Sequence, residues 1–137
     1  MTEVILVAHG ELAGAMKNSA EMIFGELSDF YPIGFTKEDG FDSLKAKIEK
    51  QISRLGDSVI ILTDLFGGTP FNASSGILME KDTKQIEVIS GMSLPLVLET
   101  AAMYKQNEPK LIVDYLQEIC KETVRPFVKE EVEEDDL

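Results

Sequence analysis

The sequence predicts an α/β fold: an open, mainly parallel sheet with strands in the order 2-1-3-4 and helices on both faces. Three observations lead there. Short apolar runs alternate with helical patterns along the chain, as in a parallel sheet covered on both faces. Two of those runs, Val4–Ala8 and Val59–Leu62, are continuously apolar, as central strands buried on both faces should be. The other two bear the marks of sheet edges. One contains Pro32, which cannot donate to a ladder, and the other alternates as Ile86-Glu87-Val88.

The elements follow in order. The first strand is Val4 to Ala8, and a helix follows with Met16, Ala20, Ile23 and Leu27 on its inner face. A second strand, Phe30 to Phe35, leads into a helix whose inner face is Phe41, Leu44, Ile48, Ile52 and Leu55. The third strand is Ser58 to Thr63, followed by a short helix from about Pro70 to Glu80. The fourth, Gln85 to Ser90, leads to a helix over Leu94 to Lys105. A last helix, from about Pro109 to Thr123, turns Ile112, Tyr115, Leu116 and Ile119 inward. The winding is flavodoxin-like, and its topological switch point lies between strands 1 and 3. His9 ends the first and Asp64 the third.

At 137 residues the chain suits one compact domain, read here as residues 1–128. Residues 129–137 form an acidic tail expected to be disordered. The formal net charge is −12. The last ten residues hold six acids against one lysine, which leaves −7 on the body. Such a surface repels nucleic acid and anionic lipid and favours docking onto a basic protein partner, although solubility alone is the commoner reason for an acidic surface. Val124, Phe127 and Val128 follow the last helix near Pro126 and are apolar enough to pack against a second subunit. The lone cysteine, Cys120, permits no internal disulfide and reads as structural. No apolar run is long enough to span a bilayer, and the start carries an acid where a signal peptide is basic. A cytoplasmic protein is expected.

His9 is the sole histidine, so any imidazole chemistry rests on one ring. Two-histidine mechanisms and histidine metal cages are thereby excluded. Adjacent strand tips lie about 4.8 Å apart. A carboxylate at position 64 can therefore accept a hydrogen bond from one ring nitrogen, fix the tautomer and leave the other nitrogen nucleophilic. Taken alone, Asp64 reads more readily as a turn or capping residue, and His9 as a satisfied core or turn histidine. Their joint place at the switch point favours chemistry.

The flanking loops add to this. In Asp64-Leu65-Phe66-Gly67-Gly68-Thr69-Pro70-Phe71-Asn72, two glycines permit close backbone approach. Thr69 then reads as an N-cap with Pro70 as the first helical residue. Gly10 to Ala15 opens a second helix beside His9, and Gly91-Met92-Ser93-Leu94-Pro95 a third. Each start alone is plain capping, but three around one imidazole suit a phosphoryl group, whose charge helix amides and dipoles offset. Neutral imidazole can attack a phosphoryl donor in line. No metal or other cofactor is expected.

These residues resemble a known family, the enzyme IIA component of the mannose/fructose/sorbose class of the bacterial sugar phosphotransferase system. The resemblance runs over about residues 3–125. It is carried by Val7-Ala8-His9-Gly10, by the long 64–72 motif and by Gly91-Met92-Ser93-Leu94-Pro95. It implies that His9 is phosphorylated, that Asp64 bonds its ring and that Thr69 lies beside the phosphoryl site, with Gly10, Gly67, Gly68 and Ser93 in the stabilising loops. It further implies a donor, the histidine-containing phosphocarrier protein, and an acceptor histidine on a IIB subunit, which serves a IIC/IID membrane permease. A homodimer exchanging its C-terminal segment is also implied. The family commonly has Asn where Ser93 stands, and some members continue into a IIB domain. This chain is expected to be a free-standing subunit.

A regulatory module could use the same phosphohistidine without serving transport. Histidine phosphatases and mutases need a second histidine and an arginine at the motif, and this chain has neither there. A related dihydroxyacetone-kinase phosphotransfer subunit shares the fold, but the Gly67-Gly68-Thr69-Pro70 loop looks more like the sugar class. A flavodoxin-like nucleotide or flavin domain lacks a Walker or dinucleotide motif and any tryptophan.

Overall fold

A computed structural model describes residues 1–80 and 84–131. The chain runs β1 (Glu3–His9), α1 (Leu12–Phe24), β2 (Phe30–Phe35), α2 (Phe41–Ser53), β3 (Ser58–Thr63), α3 (Thr69–Glu80), β4 (Gln85–Ile89), α4 (Leu94–Met103) and α5 (Pro109–Ile119). Short 3-10 turns follow at Cys120–Thr123 and Lys129–Glu131. Residues 132–137 of the expected disordered tail lie outside the described residues.

The sheet is parallel and ordered β2-β1-β3-β4, as the apolar runs predict. Strand periodicity divides the core into two. Val4, Leu6 and Ala8 of β1 join Ile60 and Leu62 of β3 beneath α1, α4 and α5, with Ala13, Ala20, Val97, Ala101, Ile112 and Leu116. Ile5 and Val7 join Val59, Ile61 and Ile86 beneath α2 and α3, with Leu44, Ile48, Ile52, Ala73 and Ile77. Both faces of β1 and β3 are thus filled with branched side chains, each worth about 1.5–3 kcal/mol when fully buried. Pro32 pairs opposite Leu6 on the β2 edge, where its missing N–H interrupts no inner ladder.

Some readings of helix faces and ends are corrected. Ile23 does not face the core and is 65% exposed. Ala13 and Ala20 define the buried line of α1, and Ile23 lies about 70° round the helix from it. Phe41 opens α2 but is exposed, whereas Leu44, Ile48 and Ile52 are buried as expected. In α5 Ile112 and Leu116 are buried, and Tyr115 and Ile119 pack at the core's margin. The helical pattern read to Thr123 tightens into a 3-10 turn after Ile119. Cys120 is exposed, its Sγ donating to the Gln117 carbonyl at 3.3 Å.

No described helix is long and apolar enough to cross a membrane. The 124–128 segment joins no strand among the described residues, and Val124 is extended at φ −107°, ψ 106°.

Candidate functional site

The carboxyl ends of β1 and β3 carry the site. His9 is the last residue of β1, and Asp64 follows the last residue of β3. The sheet brings them together as read from the sequence. Asp64 Oδ2 accepts the His9 backbone N–H at 3.0 Å and lies 2.7 Å from the ring Nδ1. The backbone bond leaves no ambiguity about the carboxylate's place. A carboxylate can only accept, so the short contact to Nδ1 requires the proton on that nitrogen. Nε2 then carries the lone pair.

Exposure fits this division. The Asp64 side chain is 11% exposed and that of His9 is 49% exposed, so the acceptor is covered while the ring meets solvent. Burial pushes the Asp64 carboxyl up in pKa. Hydrogen bonds from the His9 backbone and ring, with the attraction of the imidazolium form, outweigh it, and the carboxyl titrates below its ordinary range. Asp64 is therefore an anion at neutral pH, and an anion beside Nδ1 stabilises both the Nδ1–H tautomer and positive charge on the ring.

The loop after β3 closes on the ring's third side. A Cβ on Gly68 would stand 3.3 Å from His9 Cε1 and 3.4 Å from the Leu65 carbonyl. Any side chain there would require the imidazole to give by a few tenths of an ångström, so glycine lets the opening of α3 lie close against the ring. Its neighbour Gly67 is at φ +79°, a left-handed turn that disfavours side chains. Asn72 steadies the loop, donating from its side chain to the Gly67 carbonyl at 3.0 Å and from its backbone to the Gly68 carbonyl at 2.9 Å. The latter bond places the cap of α3 at Gly68, one residue before Thr69. The expected N-cap role of Thr69 is thereby corrected: it is the first helical residue. Its side chain makes no hydrogen bond among the described residues, so its hydroxyl is available to a ligand.

The other two loops differ. Gly10, at φ +60°, donates to the Phe35 carbonyl at 2.9 Å, and α1 opens two residues later without a side-chain cap. The N–H groups that open α1 have no hydrogen-bond partner among the described residues. The Gly91–Ser93 loop is tied to β3 by the Met92 N–H on the Thr63 carbonyl at 2.9 Å. Ser93 caps α4, its hydroxyl accepting the Leu96 N–H at 3.4 Å. That hydroxyl is engaged in its own helix, and no hydrogen bond joins it to His9 among the described residues.

Sequence reasoning missed two features. The Phe35 ring meets the imidazole edge-to-face, with centroids 5.4 Å apart at 84°. Counting the parallel register from Val4 opposite Phe30 would have found it, because His9 falls opposite Phe35. Thr63 Oγ1 and Asp64 Oδ1 are also buried with no hydrogen-bond partner among the described residues. No pattern in the sequence signals that.

The site is thus a single half-exposed imidazole held by an anionic carboxylate and bordered by glycine loops and a helix start. The family model described as the fructose IIA component of the phosphotransferase system, EIIA-man, matches residues 3–117. The chain is 41% identical over 121 residues to the sorbose-specific EIIA component of Lacticaseibacillus casei, covering 88% of this chain and 86% of that one. Two solved structures are similar. Component EIIA from Streptococcus agalactiae has a TM-score of 0.87 at 28% identity, covering 93% of this chain and 98% of that one. The mannose/sorbose-specific IIA subunit from Enterococcus faecalis has a TM-score of 0.85 at 28% identity, covering 96% and 98%. The chain belongs to the EIIA-man family of the sugar phosphotransferase system.

Proposed function

We propose that His9 carries a phosphoryl group on Nε2. The group arrives from the histidine-containing phosphocarrier protein and leaves to a histidine of a IIB subunit, which serves a IIC/IID permease in sugar uptake. In each transfer an N–P bond to the incoming imidazole forms as the bond to the departing one breaks. The Nδ1 proton stays on the ring, held by Asp64. The observation that carries this reading is the 2.7 Å contact of Nδ1 with Asp64 Oδ2, which leaves Nε2 as the free nitrogen on a half-exposed ring. Thr69 Oγ1 and the amides opening α1 and α3 supply donors for the phosphoryl oxygens.

Leu65 and Phe66, 60% and 76% exposed beside the site, give a protein partner an apolar rim. The exposed Val124 and Phe127 support the homodimer that the resemblance implies. The whole cycle runs between soluble protein partners, consistent with a cytoplasmic location.

Incubation with phosphoenolpyruvate, enzyme I and the phosphocarrier protein, read by intact mass, tests the proposal. The expected result is one added phosphoryl group, labile in acid, stable in alkali and absent in a still-folded His9→Ala variant. No added mass, in a mixture that labels a control IIA protein, would overturn it.

A further inference from the structure

Asp64 fixes which nitrogen is protonated, but one hydrogen bond leaves the ring plane able to rock about it. The Phe35 edge supplies a second constraint. Phe35 is partly buried against the core cluster that includes Ile5, Val7 and Ile61, and its ring meets the imidazole at 84°.

Phe35 ends an edge strand, where a side chain is ordinarily free to swing with its backbone. Here the backbone is held on both sides of it. Lys47 Nζ donates to the Gly34 carbonyl at 3.3 Å and to Asp39 Oδ2 at 2.6 Å. The same Asp39 oxygen accepts the Thr36 N–H and the Thr36 hydroxyl, each at 2.9 Å. Asp39 Oδ1 accepts the Ser43 hydroxyl at 2.8 Å. Residues 34 and 36 are thus linked through one ion pair rooted in α2, and the Gly10 N–H adds a bond to the Phe35 carbonyl itself at 2.9 Å. Capping α2 needs only Ser43, whose hydroxyl accepts the Gly40 N–H at 3.0 Å. The Lys47 arm reaching back to Gly34 is additional to that cap.

We propose that Phe35, bracketed by Lys47 and Asp39, is a positioning residue for phosphoryl acceptance. It holds the plane of the His9 imidazole so that Nε2 faces the incoming phosphorus. The proposal rests on the reading of His9 as the acceptor. Near-attack alignment is where such a constraint acts, since small misplacements of a nucleophile cost rate.

The sole histidine makes the test clean, because only two imidazole nitrogens exist in the chain. Their 15N shifts at pH 8, and the rate of phosphoryl acceptance, are compared in wild type, Phe35→Leu, Phe35→Tyr and Lys47→Met. Wild type should show well-separated protonated and bare nitrogens. In Phe35→Leu, which keeps apolar bulk on the core, the separation should narrow. Acceptance should slow roughly three- to tenfold, the range an aromatic pair supplies, with an unchanged final phosphorylated fraction. Phe35→Tyr should match wild type in both, and Lys47→Met should shift both as Phe35→Leu does, by less. Wild-type nitrogen shifts and rate in Phe35→Leu would overturn the proposal and reduce Phe35 to core packing. If wild type accepts no phosphoryl group while Phe35→Leu still moves the ring shifts, the functional reading fails, and Phe35 holds the imidazole without a role in phosphoryl acceptance. Should Phe35→Leu fail to fold, unchanged shifts and rate in Lys47→Met would overturn the proposal on their own.

Discussion

The two ends of the sheet are built in opposite ways. At the amino end the chain is stitched shut. The Thr2 hydroxyl donates to the Asn107 carbonyl at 2.6 Å, and Glu3 accepts the Gly56 N–H at 2.7 Å. Lys84 Nζ donates to the carbonyls of Ile52 and Leu55 at the foot of α2. Tyr104 reaches Asp29, and Tyr31 reaches Glu3. At the carboxyl end the loops after β1, β3 and β4 each carry a left-handed glycine: Gly10, Gly67 and Gly91. Leu65 and Phe66 are exposed, and the two buried side-chain oxygens without partners among the described residues, on Thr63 and Asp64, both lie there. Unpaired buried polar atoms cost roughly 1–3 kcal/mol each. One end is closed by side-chain hydrogen bonds, and the other carries left-handed glycines, exposed apolar side chains and the two buried oxygens without partners among the described residues.

Variants that separate rate from stability sharpen this contrast. Asp64→Asn should have the largest effect, slowing phosphoryl acceptance on the order of 10²-fold. An amide can donate to Nδ1 as well as accept from it, and it does not balance imidazolium charge. Quench-flow labelling would check this, and an unchanged rate would reduce Asp64 to a turn residue. Gly68→Ala should follow, because its Cβ would press on His9 Cε1 at 3.3 Å. A several-fold slower acceptance is expected, with a melting temperature near that of wild type.

The amino end should respond the other way. Thr2→Val removes the donor to the Asn107 carbonyl and should cost about 1–2 kcal/mol in urea unfolding, with the acceptance rate unchanged. Loss of rate there would break the division between the ends.

A smaller effect concerns acid. Lys47 above all, with Thr36 and Ser43, holds the Asp39 carboxyl far below the usual carboxylate range, and Asp64 also lies below its ordinary value. A carboxyl lowered on folding stabilises the fold above its unfolded value of about 3.9. That contribution is lost as pH falls through the lower folded value. The urea midpoint should therefore drop below about pH 4, and Asp39→Asn should flatten that limb. An equally steep limb in the variant would remove Asp39 from the account.

The sequence made some of these contrasts legible and concealed others. The limits of β2 and β3 match the apolar runs residue for residue, because branched side chains and strand period are local signals. His9 and Asp64 could be paired because both stand at the ends of adjacent central strands. The outward place of Ile23 could not be judged, since two alanines, not the larger residues, set the buried line of α1. The cap of α3 was misplaced by one residue because Thr69-Pro70 is a good local signal. The close approach of Gly68 to the ring is decided by a loop's path in space. Phe35 beside His9 needed a register between strands far apart in sequence.

The central claim is that Asp64 reserves Nδ1 and so directs the phosphoryl group to Nε2. NMR of 15N-labelled protein after phosphorylation, following one-bond 15N–31P coupling on the single histidine, tests this most directly. Coupling is expected at Nε2 with Nδ1 still protonated. Phosphorus on Nδ1, or on any residue other than His9, would contradict it.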